Sequence, residues 1–194
     1  MIKFKKARKM LMGLMVVGQL IAVPAVASAA PSKESVEVKK YDSLKAAAED
    51  YAKVLQEISN YGSRELLKTI NPNVDKYVSE KNDADLQKKW DETNTMLIEQ
   101  FEVLVYKINE NGNNGEVIFL IKGYDETAMN KYLNDNYKKY AKIDKVRSQV
   151  DINIEEYIKL QYEYLTKTKK INLATSKVHF VKDSQGWKVT EEKK

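Results

Sequence analysis

The chain has 194 residues, with 33 lysine and arginine residues against 28 aspartate and glutamate residues, one histidine and no cysteine. This length favours a single domain. The missing cysteines and the lone histidine exclude thiolate nucleophiles and nearly every zinc or copper site, so neither a metal nor another cofactor is expected.

Residues 1–29 have the pattern of an export signal. A basic start is followed by an apolar stretch from Met10 to Val23 and by the small residues Ala-Ser-Ala at 27–29, which predicts cleavage before Ala30. The apolar stretch is too short to span a bilayer comfortably. We therefore expect a periplasmic or secreted protein without an integral membrane segment after cleavage.

The positive net charge of the chain comes from this segment. Residues 1–29 hold five basic and no acidic side chains, and the rest of the chain holds 28 of each sign. A protein that neutralises nucleic-acid phosphates needs an excess of lysine and arginine on at least one face. The balance therefore argues against nucleic acid as a partner.

Residues 30–41 are polar and lack periodicity, which predicts a short tether. The remainder, residues 42–194, contains neither an internal repeat nor a low-complexity tract. It is therefore interpreted as a single domain.

Three helices are predicted in the first part of this domain. Apolar residues at three- and four-residue spacing predict a helix from Ser43 to about Asn60, ended by Gly62, and a shorter one from Ser63 to Ile70, ended by Asn71-Pro72-Asn73. A third is predicted from about Asp83 to Gln100. Its inner side is expected to carry Leu86, Trp90, Met96 and Leu97.

The pattern then changes to the two-residue period of strands. Residues 101–108 and 116–124 are rich in β-branched and aromatic side chains, and the Asn- and Gly-rich connection between them favours a hairpin. A second hairpin, of strands near 170–182 and 187–191, closes the chain. Its first strand moves its apolar residues from odd to even positions, which predicts a β-bulge near residues 175–177.

Two helices are predicted between the hairpins, from Thr127 to about Ile143 and from Asp151 to Thr166. The order is therefore helices, hairpin, two helices, hairpin. This order is typical of an α+β fold in which N-terminal helices pack on an antiparallel sheet of about four strands, with a two-helix insertion.

Both faces of the first hairpin are apolar. Along its first strand the alternating residues are Phe101, Val103 and Val105 on one side, and Leu104, Tyr106 and Ile108 on the other. An uncovered second face would expose large side chains and invite aggregation. We expect the helical pair over 127–166 to cover it, with a second copy of the chain or a ligand as the alternatives.

Two segments carry a resemblance to known proteins: the strand pair FEVLVYKINENGNNGEVIFLIKGY and the closing KINLATSKVHFVKDSQGWKV. Together with the leader and the N-terminal helices, they resemble small bacterial secreted proteins and lipoproteins with an NTF2-like (cystatin-like) domain, including the DUF4878 and DUF5105 families. The resemblance implies a curved sheet around the first helix and a cone-shaped cavity. It implies no single activity, because this fold hosts enzymes, binding modules and accessory domains. The chain departs from the lipoprotein members in having no lipobox cysteine.

Large aromatic residues are the candidates for lining such a cavity. Trp90 and Trp187, with Tyr106 and Phe119, are predicted either to line it or to fill the core. No carboxylate or histidine lies where an apolar cavity would make it catalytic, and alternation places His179 on an exposed face. No catalytic residue is therefore predicted.

The segment 131–147 is basic and aromatic. Its basic patch consists of Lys138, Lys139, Lys142, Lys145 and Arg147. Such a patch attracts anionic lipid, cell-wall polymer or another polyanion. A solvated helix face with tyrosines packed between helices is the alternative.

The function predicted from these observations is an exported, non-catalytic binding or accessory module of the bacterial cell envelope. Its partner is an unidentified envelope protein, lipid or polymer, and a homodimer stays open. The alternatives are a small cavity enzyme of the NTF2-like type, an isomerase or hydrolase, and an interaction protein that docks on a surface through the segment 131–147.

Overall fold

The computed structural model describes residues 40–144 and 149–190. The predicted export signal, almost all of the tether, Lys145 and Arg147 lie outside these residues. The described residues form an α+β fold with a four-stranded antiparallel sheet, which confirms the predicted fold class. None of the helices described here has the length and apolar character needed to cross a bilayer.

Ten helices and strands precede the closing hairpin in the described residues. In full, the elements are α1 (Leu44–Ile70), α2 (Pro72–Lys81), α3 (Ala84–Ile98), β1 (Phe101–Asn111), β2 (Asn114–Gly123), α4 (Glu126–Asp135), α5 (Tyr137–Tyr140), β3 (Ala141–Asp144), β4 (Gln149–Ile152), α6 (Ile154–Lys167), β5 (Ile171–Asp183) and β6 (Gly186–Val189). The main sheet has the order β1-β2-β5-β6, and β3 pairs with β4 in a separate antiparallel ribbon.

The chain divides into two compact units. The sheet unit contains, of the described residues, 40–56, 103–122 and 172–190. The helical unit contains 57–102, 123–144 and 149–171. Each unit has hydrophobic clusters of its own, and each is described by itself below.

Short polar side chains begin four of the helices. The oxygens of Ser43, Asp83, Asp125 and Asn153 accept hydrogen bonds from backbone N–H groups in the first turns of α1, α3, α4 and α6. These residue types are favoured at the N-cap because they satisfy N–H groups that have no partner within the helix. Local chemistry thus explains why α1 and α3 begin where the sequence predicts.

The predicted break near Gly62 is wrong, because α1 continues to Ile70 as one helix of 27 residues. A glycine in a helix interior costs only about 1 kcal/mol relative to alanine. Tertiary contacts outweigh that cost: Ser63 is buried and accepts a hydrogen bond from Gln100 Nε2 at 3.2 Å, and Leu67 packs against a core cluster of the helical unit.

Pro72 both ends α1 and begins α2, a helix that the sequence analysis does not predict. Proline fits the first helical position because its missing N–H would have no partner there. Trp90 Nε1 donates a hydrogen bond to Asp75 Oδ1 at 2.7 Å, and Val78 packs in the same cluster as Trp90. The helix α2 is therefore stabilised by contacts with α3 that sequence periodicity does not contain.

The predicted helix over 127–143 is wrong beyond Tyr140, and the helix over 151–166 begins later than predicted. Residues 141–144 are strand β3 and pair with 149–152, strand β4, in the register Ala141↔Ile152. The insertion between the hairpins is therefore two helices, a short helical turn and a two-stranded ribbon.

The core of the sheet unit is apolar. It lies between one face of the sheet and the first half of α1, where small side chains allow close packing. Its buried members are Leu44, Ala47, Ala48, Ala52, Val117, Phe119, Phe180 and Trp187. The Tyr51 ring lies 5.6 Å from the Phe119 ring and 5.9 Å from the Phe180 ring.

The shift of apolar residues from one face of a strand to the other was expected on β5 but is found on β1. Burial along β5 alternates without interruption from Ala174 to Phe180, so the prediction of a bulge at 175–177 is wrong, and the odd-numbered Leu173 stays exposed. On β1, by contrast, Val103, Val105 and Ile108 all pack against the same core, and the two residues after Val105 are both exposed. Two adjacent residues on one face is the pattern of a β-bulge.

Candidate functional site

The four residues predicted to line a cavity do not share one. Phe119 and Trp187 meet in the closed core of the sheet unit, each exposed by 2% or less. Tyr106 is 67% exposed, and Trp90 belongs to a core cluster of the helical unit. Phe119, Trp187 and Trp90 therefore serve as packing residues, which is the alternative that the sequence left open.

Some apolar residues of the sheet strands are exposed. Besides Tyr106, Ile171 is 46% and Leu173 is 41% exposed. The buried residues of the helical pair, among them Leu133 and Leu160, pack into a cluster of their own unit. That the helical pair covers the second face of the first hairpin stays a prediction.

The described part of the basic patch is exposed. Lys138 and Lys139 lie on α5, and Lys142 lies on β3. The tyrosine that follows the first two, Tyr140, is buried and packs against Tyr157 with ring centroids 5.4 Å apart. Tyr140 is therefore a packing residue, whereas Tyr137 is 38% exposed beside the lysines.

Buried polar groups distinguish the interior of the helical unit. Gln161 is 2% exposed, and its Nε2 donates to Tyr157 Oη at 3.0 Å. Gln161 Oε1 and Tyr140 Oη are enclosed and have no hydrogen-bond partner in the described part of the chain. Burial raises the pKa of Tyr140 and, with the Tyr140 phenol nearby, that of Tyr157. An unpaired buried polar group costs free energy, and the described core of the sheet unit contains one such atom, Trp187 Nε1.

A surface groove of about 520 Å³ follows α4. It is lined by Glu126, Thr127, Asn130, Lys131 and Asn134. Glu126, Asn130 and Asn134 are four residues apart and therefore share one face of the helix. We call these five residues the α4 groove. Every lining side chain carries a polar group.

Glu126 is the perturbed group in the α4 groove. Its side chain is half-buried, and Oε1 is enclosed without a hydrogen-bond partner among the residues that the structure describes. Burial raises the pKa of Glu126 above the ordinary 4.5. Because Glu126 lies in the first turn of α4, where the helix dipole favours a carboxylate, the desolvation must outweigh the dipole.

The neighbouring charges do not compensate Glu126. Lys131 Nζ is 2.6 Å from Asp135 Oδ2 on the same helix. Asp125 uses Oδ1 to accept the Ala128 N–H as the N-cap of α4. The groove therefore presents one uncompensated carboxylate beside two side-chain amides and a hydroxyl.

The titratable residues of the lining are Glu126 and Lys131, and the lysine is engaged by Asp135. Within the described ranges, no three carboxylate, histidine or cysteine side chains are grouped as a metal site requires.

Sequence reasoning did not single out the α4 groove. Asp125 and Glu126 are residue types that are ordinary at the start of a helix, so their identity alone marks no site. The available signal was the repetition of polar residues at 126, 130 and 134, at the spacing of one helix face. Only the packing around α4 shows that the carboxylate at the start of this row is shielded from water.

Two other partly exposed carboxylates are each paired with a lysine. Glu155 Oε1 accepts from Tyr77 Oη and lies 2.8 Å from Lys81 Nζ, which lowers the pKa of Glu155. Glu116 is paired with Lys177 at 2.8 Å, which lowers its pKa. Within residues 40–144 and 149–190, Glu126 Oε1 has no such partner, and this contrast selects the α4 groove as the candidate site.

Comparisons with models of known families, with curated protein sequences and with solved structures give no significant match. The resemblance to NTF2-like proteins therefore stays a prediction from the two segments quoted above. The residues of the α4 groove are the ground on which a function can be argued.

Proposed function

We propose that this protein is an exported, non-catalytic binding module of the bacterial cell envelope and that it holds a small polar ligand or a polar group of a larger partner in the α4 groove. The observation that carries the proposal is the half-buried, unpartnered carboxylate of Glu126 in a groove lined by polar side chains. A perturbed ionisable group in a concave site is a recognised mark of a functional site.

The distribution of unpaired buried polar groups between the two units supports this proposal. Of the four enclosed polar atoms without a partner in the described residues, those of Glu126, Tyr140 and Gln161 lie in the helical unit, and Trp187 Nε1 lies in the core of the sheet unit. An unpaired buried polar group lowers the stability of the folded protein. A ligand bound in the groove beside Glu126 would offset part of that cost.

Binding is tested by nuclear magnetic resonance of the isotope-labelled protein with a panel of small amines, polyols and carboxylates. We expect at least one class to shift amide signals that cluster at Thr127, Asn130 and Asn134. Asn130→Ala should weaken this binding without changing the unfolding midpoint. Shifts that cluster outside α4, or none for any class, would contradict the proposal.

Export is tested separately, by mass spectrometry of the protein recovered outside the cytoplasm. We expect a processed chain that begins at Ala30. Recovery of an unprocessed chain in the cytoplasm would contradict the location and leave the binding proposal to stand on its own result.

A further inference from the structure

The charges of α4 and its cap indicate which ligand chemistry fits the α4 groove. From Asp125 to Asp135 the helix and its N-cap carry three carboxylates and one ammonium group, the latter on Lys131. Lys131 is paired with Asp135, and Asp125 is paired with a backbone N–H. In the part of the chain that the structure describes, Glu126 Oε1 has no partner, so the charge of Glu126 makes the groove attract cations and repel anions.

The hydrogen-bonding groups favour the same kind of ligand. Glu126 supplies a carboxylate whose Oε1 is enclosed, so it acts on a ligand mainly through its charge, and the amide oxygens of Asn130 and Asn134 follow it along one face of α4. An ammonium group has three N–H donors and no acceptor, so it can use several of these oxygens at once. The charged donor amine at Lys131 is already occupied by Asp135 and does not compete for them.

A metal cation fits these residues poorly. Ca²⁺ takes about six to eight oxygen ligands and usually several carboxylates. The lining supplies a single carboxylate without another partner, with amides and a hydroxyl beside it. A monovalent organic cation needs fewer ligands and tolerates amides.

We infer that the α4 groove binds a primary alkylammonium group, with Glu126 as its counter-ion and Asn130 and Asn134 as hydrogen-bond acceptors. This inference rests on the proposed function, because it names the chemistry of the ligand that the α4 groove holds. The ammonium group can belong to a free diamine or to the lysine side chain of a peptide, and the two sources are separated by experiment.

The test compares three probes of equal chain length that differ in charge: 1,5-diaminopentane, 1,5-pentanediol and glutarate. Binding to the purified protein is followed by calorimetry and by the amide shifts of Thr127, Asn130 and Asn134. We expect diaminopentane to bind about tenfold or more tightly than the diol, since hydrogen bonds to charged groups are stronger than those to neutral groups. Glutarate should produce no shift in the groove.

Two matched variants localise the effect. Glu126→Gln keeps the shape of the side chain and removes its charge, and should weaken diaminopentane binding about tenfold or more. Glu110→Gln removes the same charge from an exposed position on β1 and should leave the affinity unchanged. An equal loss in both variants would show attraction to overall charge and would overturn the inference.

A short lysine-containing peptide and its acetyl-lysine counterpart identify the source of the ammonium group. Tight binding of the lysine peptide, lost on acetylation, would assign the site to a peptide, and binding of the diamine alone would assign it to a small molecule. Preference for the diol or for glutarate would overturn the ammonium inference while leaving the proposed groove function intact. Failure of every probe to shift the groove would overturn both.

Discussion

The interiors of the two units differ in their polar groups. In the sheet unit, alanines of α1 let the helix lie close to strands that carry Val117 and Phe119. The buried residues of this cluster are all hydrophobic, and the indole N–H of Trp187 is a buried polar group among them. In the helical unit, tyrosines and Gln161 bring hydroxyl and amide groups inside. A well-packed apolar core is stable without any partner, whereas an unpaired polar group is stabilised when another molecule forms a hydrogen bond with it.

This difference is the reason for proposing the site in the helical unit. Its polar groups without partners include Tyr140 Oη, Gln161 Oε1 and Glu126 Oε1, and the last belongs to the lining of a groove. The aromatic residues that suggested a cavity in the sequence are mostly packing residues. Four experiments break or sharpen the comparison, in order of decreasing expected effect.

The largest effect is expected from Phe119→Ala in the sheet unit. Phe119 is fully buried, and truncation of a buried phenylalanine costs about 3–5 kcal/mol because it removes apolar contacts and leaves a cavity. Urea unfolding measures the loss. Tyr106→Ala on the same hairpin is the control and should change stability by less than about 0.5 kcal/mol, since Tyr106 is 67% exposed. A large cost for Tyr106 would show that the second face of the sheet is covered in solution.

Gly186→Ala should cost about 1–3 kcal/mol. Gly186 has a φ of +101°, and an added Cβ would lie 2.7 Å from the backbone oxygen of Tyr41. That oxygen accepts the Trp187 N–H at 3.1 Å, so hydrogen exchange at Trp187 should become faster. Gly112→Ala is the control, because its φ of +61° is accessible at lower cost and no atom lies within 4 Å of the added Cβ. Equal costs at both glycines would mean that the contact with Tyr41 contributes nothing.

Tyr140→Phe should stabilise the helical unit by about 1 kcal/mol. The Tyr140 hydroxyl is enclosed without a partner, and the ring contact with Tyr157 survives the substitution. A chemical denaturation curve measures the gain. Tyr157→Phe is the contrasting variant and should destabilise, because it removes the acceptor of the Gln161 Nε2 hydrogen bond. A loss of stability in Tyr140→Phe would show that a bound water or ligand satisfies the hydroxyl.

The smallest effect, and the one that depends on pH, is expected from Glu126→Gln. Burial raises the pKa of Glu126 in the folded protein, so the folded state holds the proton more tightly than the unfolded chain. The contribution of Glu126 to stability is therefore greatest below the ordinary pKa of 4.5 and is lost as pH rises through the folded value. Glutamine should raise the unfolding midpoint at pH 7 and not at low pH, as thermal unfolding across this range would show. A gain that is independent of pH would show that the charge of Glu126 is not the cause.

The sequence analysis was accurate where short-range chemistry decides structure. Ser43 and Asp83 are strong N-caps, and the run of β-branched residues after residue 100 has the period of strands, so α1, α3 and the two hairpins begin near their predicted positions. It was wrong at Gly62, where tertiary contacts of Ser63 and Leu67 outweigh a weak local preference. It was also wrong after Tyr140, where the pairing of 141–144 with 149–152 replaces a predicted helix.

The candidate site, too, combines features that the local sequence contains with one that depends on tertiary contacts. The identities of Glu126, Asn130 and Asn134 and their common helix face can be read from the sequence. The burial of the carboxylate cannot, because it depends on neighbours that are distant along the chain. A capping glutamate in water and a half-buried glutamate beside a groove have the same local sequence.

The sequence by itself determined the alternation of helices and hairpins, the absence of cysteine chemistry and the balance of charge after residue 29. These properties depend on residue types and on spacings of a few residues, which are the range over which caps, turns and amphipathic faces act. The tertiary structure alone decided which aromatic residues are packed, where β1 changes its face and which carboxylate loses its water. The physical reason is that burial and desolvation are properties of contacts between distant segments, and no window of local sequence contains them.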